Sequence, residues 1–175
     1  PDLSKWHQLV EAQAMRYPQT VKVGMIAKYL DNEDTYISVL EALKAAAWHE
    51  KVNLDLVWIS AEEATDTDLA GLDALLVPGG FGKRGIEGKI QTATYALQHK
   101  KPYLGLCLGL QVSVIAAARL AGLKEANSTE FEPDTKQDVV YIMNGQAGKE
   151  STGGTLRLGD YQAKLEKDSL VAKLY

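Results

Sequence analysis

The residue whose type and setting could do chemistry is Cys107, the only cysteine in 175 residues. It stands in Tyr103-Leu104-Gly105-Leu106-Cys107-Leu108-Gly109-Leu110-Gln111, an apolar run that passes directly into a helical pattern. That order is a strand, a sharp turn and a helix. Gly105 and Gly109, two residues to either side of the cysteine, form G-x-C-x-G, the spacing that presents a serine on a strained turn in G-x-S-x-G hydrolases. Small neighbours are needed where the following helix crosses the strand. Such a turn sets the thiol at the carboxyl end of a sheet and over the amino end of a helix, where the dipole favours thiolate. It also aims the Leu108 N–H at a developing oxyanion. A cysteine in an apolar run is ordinarily inert core, but the two glycines and the Gln111 that follows point to a nucleophile.

The elements that must position this turn are legible from periodicity. Residues 21–27 are apolar enough for a buried strand, and residues 53–59 alternate as a strand nearer an edge does. Between them Tyr36, Val39, Leu40, Leu43 and Ala47 recur at helical spacing, with the turn at 31–34 expected to cap the helix. A short helix within 61–69 and a third strand at 73–77 follow, and that strand runs into Pro78-Gly79-Gly80-Phe81-Gly82-Lys83-Arg84-Gly85. Proline and four glycines in eight positions form a loop, and loops at the carboxyl ends of strands are where open α/β sheets bind ligands. Helices are expected at 86–98 and 108–120. This alternation predicts an α/β fold, a doubly wound and mainly parallel sheet with helices on both faces.

Ahead of this unit, Trp6, Leu9, Val10 and Gln13 mark a short helix with Asp2 or Ser4 as its N-cap, ending before Pro18. Beyond 127 the pattern turns to short strand candidates, 139–143 and 155–158, around a glycine-rich stretch at 144–154. No helix start follows that stretch, so it reads as a solvated hairpin loop rather than a phosphate site.

Length and a hydrophobic content of 46% fit one well-cored domain. A formal charge of -4 without a long basic run argues against nucleic acid or a membrane surface as partner. The single cysteine excludes an internal disulfide, no pattern of a membrane span or signal peptide occurs, and a cytoplasmic location is expected. A start at Pro1 and an end at Tyr175 just after a helical pattern suggest a piece of a longer chain.

Four segments together carry a resemblance: the elbow at 105–111, the Pro78 to Gly85 loop, Ala126-Asn127-Ser128-Thr129-Glu130-Phe131, and Gly153-Gly154-Thr155-Leu156-Arg157-Leu158-Gly159. They resemble the class I glutamine amidotransferase domain of CTP synthase, which is flavodoxin-like. The resemblance implies residues 1–20 as a linker and helix from a preceding synthetase domain, and 21–175 as an amidotransferase domain truncated at its C-terminal end. It implies hydrolysis of L-glutamine to glutamate and ammonia, with the ammonia passed to the synthetase domain for ATP-dependent amination of UTP to CTP. Cys107 would form the glutamyl thioester, with the backbone N–H groups of Gly80 and Leu108 as oxyanion donors. Gly80, Phe81, Leu108, Gly109, Leu110, Gln111 and Glu130 would contact glutamine, the Glu130 carboxylate suiting its ammonium. No cofactor or metal is implied for this domain; ATP, Mg2+ and the activator GTP belong to the parent, which in this family is a tetramer. Lys83, Arg84 and Glu87 fall in what resembles a mobile lid near the GTP site.

The sequence departs from the family where the catalytic base should be. The late His-Pro-Glu segment and the arginine-rich segment before it are absent, and His7, His49 and His99 are placed as helix or surface residues. A catalytically silent glutamine-binding or partner-binding fragment therefore stands as the alternative. A third possibility is another elbow-cysteine enzyme of the same superfamily, against which Gln111 and residues 127–131 argue.

Overall fold

The computed structural model describes residues 2–30, 33–143 and 159–174. The chain divides into two units, Pro1–Tyr141 and Ile142–Tyr175. The first holds a sheet of four parallel strands: β1 (Thr20–Ala27), β2 (Asn53–Ser60), β3 (Ala74–Val77) and β4 (Tyr103–Gly105), in the order β2-β1-β3-β4. Register runs from Thr20 opposite Asn53 to Ala27 opposite Ser60, with Val23 opposite Ala74 and Val77 opposite Gly105. As expected, β2 lies at an edge and β1 inside.

Strands buried on both faces need apolar side chains at every position rather than alternate ones. In β1, Val23, Met25 and Ala27 pack with Tyr36 and Leu76, and Val39 and Leu43 of α2 (Ile37–His49) close over them. Ile26, Leu75 and Val77 point the other way, into a core completed by Ile86, Ile90 and Ala93 of α4 (Ile86–His99) and Leu108, Val112 and Ile115 of α5 (Leu108–Leu120). Helices thus cover both faces, as a doubly wound sheet requires. The short α3 (Asp66–Ala70) is started by a capping box in which Thr65 and Asp68 satisfy each other's backbone N–H groups. After α5, β5 (Asn127–Ser128) pairs in parallel with β6 (Asp138–Val140).

Three local expectations are corrected. In α1 (Ser4–Ala14) the N-cap is Leu3 and supplies no side-chain bond; Asp2 instead accepts from the Ser4 N–H at 2.9 Å from two residues away. A 3-10 turn, Glu33–Tyr36, leads into α2 in place of an aspartate cap, and Tyr36 occupies the N-cap without a side-chain bond. The strand expected at 139–143 is shorter and earlier, Asp138–Val140. The second strand candidate, 155–158, and the glycine-rich stretch before it lie outside the described residues. Helix α1 buries none of its residues and lies against α2. Behind it, Asn53 at the head of β2 holds Tyr17 by two backbone bonds of 2.6 and 3.0 Å. In the second unit, α6 (Leu170–Leu174) has the Ser169 hydroxyl accepting from the Ala172 N–H at 3.1 Å.

Candidate active site

Three strands end at one edge of the sheet, and each carries a functional group just past its last residue. Lys28 follows β1, the Pro78 loop follows β3, and Cys107 follows β4 two residues on. The carboxyl edge of a parallel sheet is where loops can converge without disturbing the core.

Cys107 is exposed and has φ 53° and ψ −108°, a strained conformation for a residue with a side chain. Its carbonyl already accepts the first bonds of α5, from Leu110 N at 3.0 Å and Gln111 N at 3.3 Å. The glycines are dictated by the crossing that results. A Cβ on Gly105 would come within 2.6 Å of the Leu110 nitrogen, and one on Gly109 would collide with the Val77 carbonyl. Below the turn, the Tyr103 hydroxyl donates to the Gly109 carbonyl at 2.8 Å. Burial pushes that phenol well above the ordinary tyrosine range, so it stays a donor.

The Pro78 loop lies against this turn: a side chain begun at Gly79 would touch Cys107, 3.4 Å from its Cβ and 3.9 Å from Sγ. One begun at Gly80 would meet Leu108 Cδ2 at 3.5 Å. The N–H groups of Gly80 and Leu108, the two expected oxyanion donors, bond to no partner among the described residues. The Gln111 side chain, one turn into α5 and half-buried, is likewise uncommitted among them. Phe81 and Leu110 are exposed, and Gly109 is buried under the elbow. Glu130 reaches the same loop: its Oε1 accepts from the Gly82 N–H at 3.3 Å. All the residues expected to contact substrate are therefore on the elbow, the loop beside it, or the segment that bonds to that loop.

Four residues not singled out from the sequence hold this arrangement. The Lys28 ammonium donates to the carbonyls of Phe81 and Gly82 at 2.9 and 2.8 Å. Its burial, helped by the Arg84 guanidinium, pushes it below the ordinary lysine range, with Glu130 and Glu62 opposing. Lys89, on the inner face of α4, donates to the Pro78 carbonyl at 3.4 Å. Arg119 forks onto Glu87 at 2.7 and 3.1 Å and donates to the Ala126 carbonyl at 2.9 Å, tying α4 and α5 to the segment that carries Glu130. Tyr103 is the fourth. A signal existed for Lys89, which shares a helical stripe with Ile86, Ile90 and Ala93 where an apolar residue belongs.

The histidines remain ordinary. His99 is stacked on Tyr95 with ring centroids 4.0 Å apart, and its Nδ1 lies 3.0 Å from the Tyr95 carbonyl at the end of α4. His49 stands exposed beside Glu50, and His7 lies on α1. Of the charges expected in a lid, Arg84 pairs with Glu62 at 3.2 Å and lies 5.2 Å above the Tyr29 ring. Among the described residues there is no cluster of potential metal ligands and no helix long and apolar enough to cross a membrane.

Comparisons with known proteins agree with this geometry. The chain is 46% identical over 175 residues to the CTP synthase of Methanothermobacter thermautotrophicus, a match that takes in 99% of the chain and 33% of that protein. It is 48% identical over 183 residues to that of Corynebacterium glutamicum, again 99% and 33%. The chain thus spans about a third of the length of the curated relatives it matches. The solved glutaminase domain of Trypanosoma brucei CTPS, with bound acivicin, superposes with a TM-score of 0.67 at 38% identity, covering 71% of this chain and 50% of that one. The family model for glutamine amidotransferase class-I matches residues 31–174. With its elbow cysteine and parallel sheet, the chain belongs to the class-I glutamine amidotransferase family.

Proposed function

We propose that Cys107 hydrolyses L-glutamine to glutamate and ammonia through a thioester, and that the ammonia serves amination of UTP to CTP in the longer protein. The observation that carries this reading is the strained Cys107 elbow, with the uncommitted N–H groups of Gly80 and Leu108 close to it. An amide is a poor electrophile, so attack by a thiolate needs donors placed where the carbonyl oxygen becomes negative. The Cys107 sulfur adds to the carboxamide carbon, and its oxygen takes the charge against those two N–H groups. When the oxygen re-forms the carbonyl, the C–N bond breaks and the nitrogen leaves as ammonia once protonated. Water then adds to the thioester, releasing glutamate and regenerating the thiolate.

Gln111 and Glu130 hold the amino-acid end of the substrate, Glu130 opposite the ammonium, while Phe81, Gly109 and Leu110 shape the walls. The proton carrier is assigned to the family's late histidine and glutamate in the longer protein, since His99 is occupied by Tyr95. ATP, Mg2+ and GTP act on the longer protein, in the cytoplasm, and the synthetase domain of the same protein is the partner. In keeping with the family, that protein would assemble as a tetramer, with residues 1–20 leading from the synthetase domain into the amidotransferase.

The test is glutamate release and CTP formation by the full-length protein. Cys107→Ala should abolish glutamine-dependent synthesis and leave ammonia-dependent synthesis intact. Undiminished glutamine turnover in that variant overturns the assignment.

A further inference from the structure

Lysine is almost never fully buried without a partner, yet Lys89 has 0% of its surface exposed. Among the described residues no carboxylate forms an ion pair with it. Among the described residues the ammonium makes one hydrogen bond, to the Pro78 carbonyl, and it is long at 3.4 Å. The ammonium lies 3.8 Å from the point where a side chain at Gly80 would begin, and Leu108 Cδ2 lies 3.5 Å from that point. The cation therefore lies beside Gly80, one of the two expected oxyanion donors, whose other near neighbour is Leu108.

On its own helix Lys89 is buried in one stripe with Ile86, Ile90 and Ala93, which belong to the apolar core that Leu108 and Val112 of α5 also join. The charged groups that act on it are few. Lys28, from the end of β1, repels it; the Cys107 thiolate attracts it. Lys28 in turn faces Arg84, Glu130 and Glu62. Burial and Lys28 together push Lys89 down to about 8, so it is still a cation at neutral pH.

Taking an ammonium out of water without a counter-charge costs several kcal/mol even after relaxation. A packed methionine would avoid that cost. What the cation offers is a field in a place sheltered from solvent, where electrostatic effects are largest. The attraction between the Lys89 ammonium and negative charge on Cys107 is mutual.

We propose that Lys89 is a positioning residue for the glutamine reaction. Its ammonium fixes the Pro78 to Gly80 turn and meets the negative charge that is carried by Cys107 and then passes to the oxyanion. The inference rests on Cys107 being the nucleophile, as proposed above, but its test does not depend on glutamine turnover.

In the full-length protein, Lys89→Met keeps the length and apolar stem and removes the charge. The rate of carboxamidomethylation of Cys107 by iodoacetamide at pH 7, read by mass spectrometry, should fall severalfold once the neighbouring cation is gone. A purely structural role would leave that rate unchanged in a variant whose circular dichroism and thermal transition are intact, and an unchanged rate overturns the proposal. Glutamine kinetics should show a lower kcat with KM within about twofold, the pattern of a loss confined to the transition state.

Should Lys89→Met fail to fold, the unsubstituted protein decides. Lysine-labelled NMR follows the Lys89 ammonium through its titration before and after Cys107 is blocked with iodoacetamide. Removing the thiolate should move the Lys89 midpoint down, and a midpoint that stays in place overturns the proposal. Normal coupling in both experiments, together with absent glutamine turnover, would fault the assigned reaction and leave the Lys89–Cys107 relationship standing.

Discussion

The ammonium of Lys28 donates to two consecutive carbonyls, Phe81 at 2.9 Å and Gly82 at 2.8 Å, and so joins the end of β1 to the loop after β3. Glu130 holds the same loop through the Gly82 N–H at 3.3 Å. A loop rich in glycine has many accessible conformations, and these three bonds select among them. Lys28→Met should destabilise the domain by only about 1 kcal/mol, because the exposed carbonyls can turn to water. Its larger effect should be on substrate, with KM for glutamine raised severalfold. Urea titration and steady-state kinetics separate the two effects, and a change in stability with unaltered KM would show that the bonds do not serve the site.

The elbow separates strain from packing. At Gly109 a methyl group would meet the Val77 carbonyl, which is part of the β3 backbone and cannot step aside. Gly109→Ala should therefore cost about 3 kcal/mol or more in urea unfolding, at the upper end for single substitutions. At Cys107 the positive φ of 53° is the feature in question. Glycine ordinarily weakens a chain relative to alanine by about 1 kcal/mol, but here it would relieve about 1–3 kcal/mol of backbone strain. Cys107→Gly should accordingly be at least as stable as Cys107→Ala, with both inactive on glutamine.

Stability should vary with pH through Lys89. The native group titrates near 8, against 10.5 for the ordinary side chain. Between those values the unfolded chain holds a proton that the native one has released, so stability rises with pH across that interval. The penalty for the buried charge is fully present below about pH 8 and absent above about 10.5, a difference of about 3 kcal/mol at most. Lys89→Met should be more stable than the unsubstituted protein at pH 7, and the gap should close as pH rises toward 10.5. Paired thermal unfolding curves across that range check it, and a gap independent of pH would contradict it.

Arg119 tests how Glu130 is held. Its guanidinium forks onto Glu87 and also reaches the Ala126 carbonyl, four residues before Glu130. Glu87 is largely exposed, which limits the pair itself to about 0.5–1 kcal/mol in a double-mutant cycle with Glu87→Ala. Arg119→Ala should lose more than that coupling, since the Ala126 carbonyl is also released. The excess should appear as weaker glutamine binding in isothermal titration with the Cys107→Ala background.

The alternation of strands and helices, the parallel sheet and the elbow were determined by the sequence itself, because they rest on local signals. Periodicity marks each element, and only glycine fits where α5 crosses β4, so residues 105–109 carry their own geometry. The role proposed for the segment around Glu130 came only through its resemblance to a family. What tertiary structure alone decided is the electrostatic support behind the elbow. Lys28 is an ordinary letter in the chain, and Lys89, 61 positions on by number, stands out only as a charge on an apolar stripe; neither reveals in sequence what its ammonium meets. Burial and charge coupling depend on neighbours brought in from other strands and helices, and local sequence does not encode them. For the same reason the expected caps at Asp2 or Ser4 and at 31–34 gave way to Leu3 and a 3-10 turn. A cap is worth only about 1 kcal/mol, so the backbone path into a helix can override it.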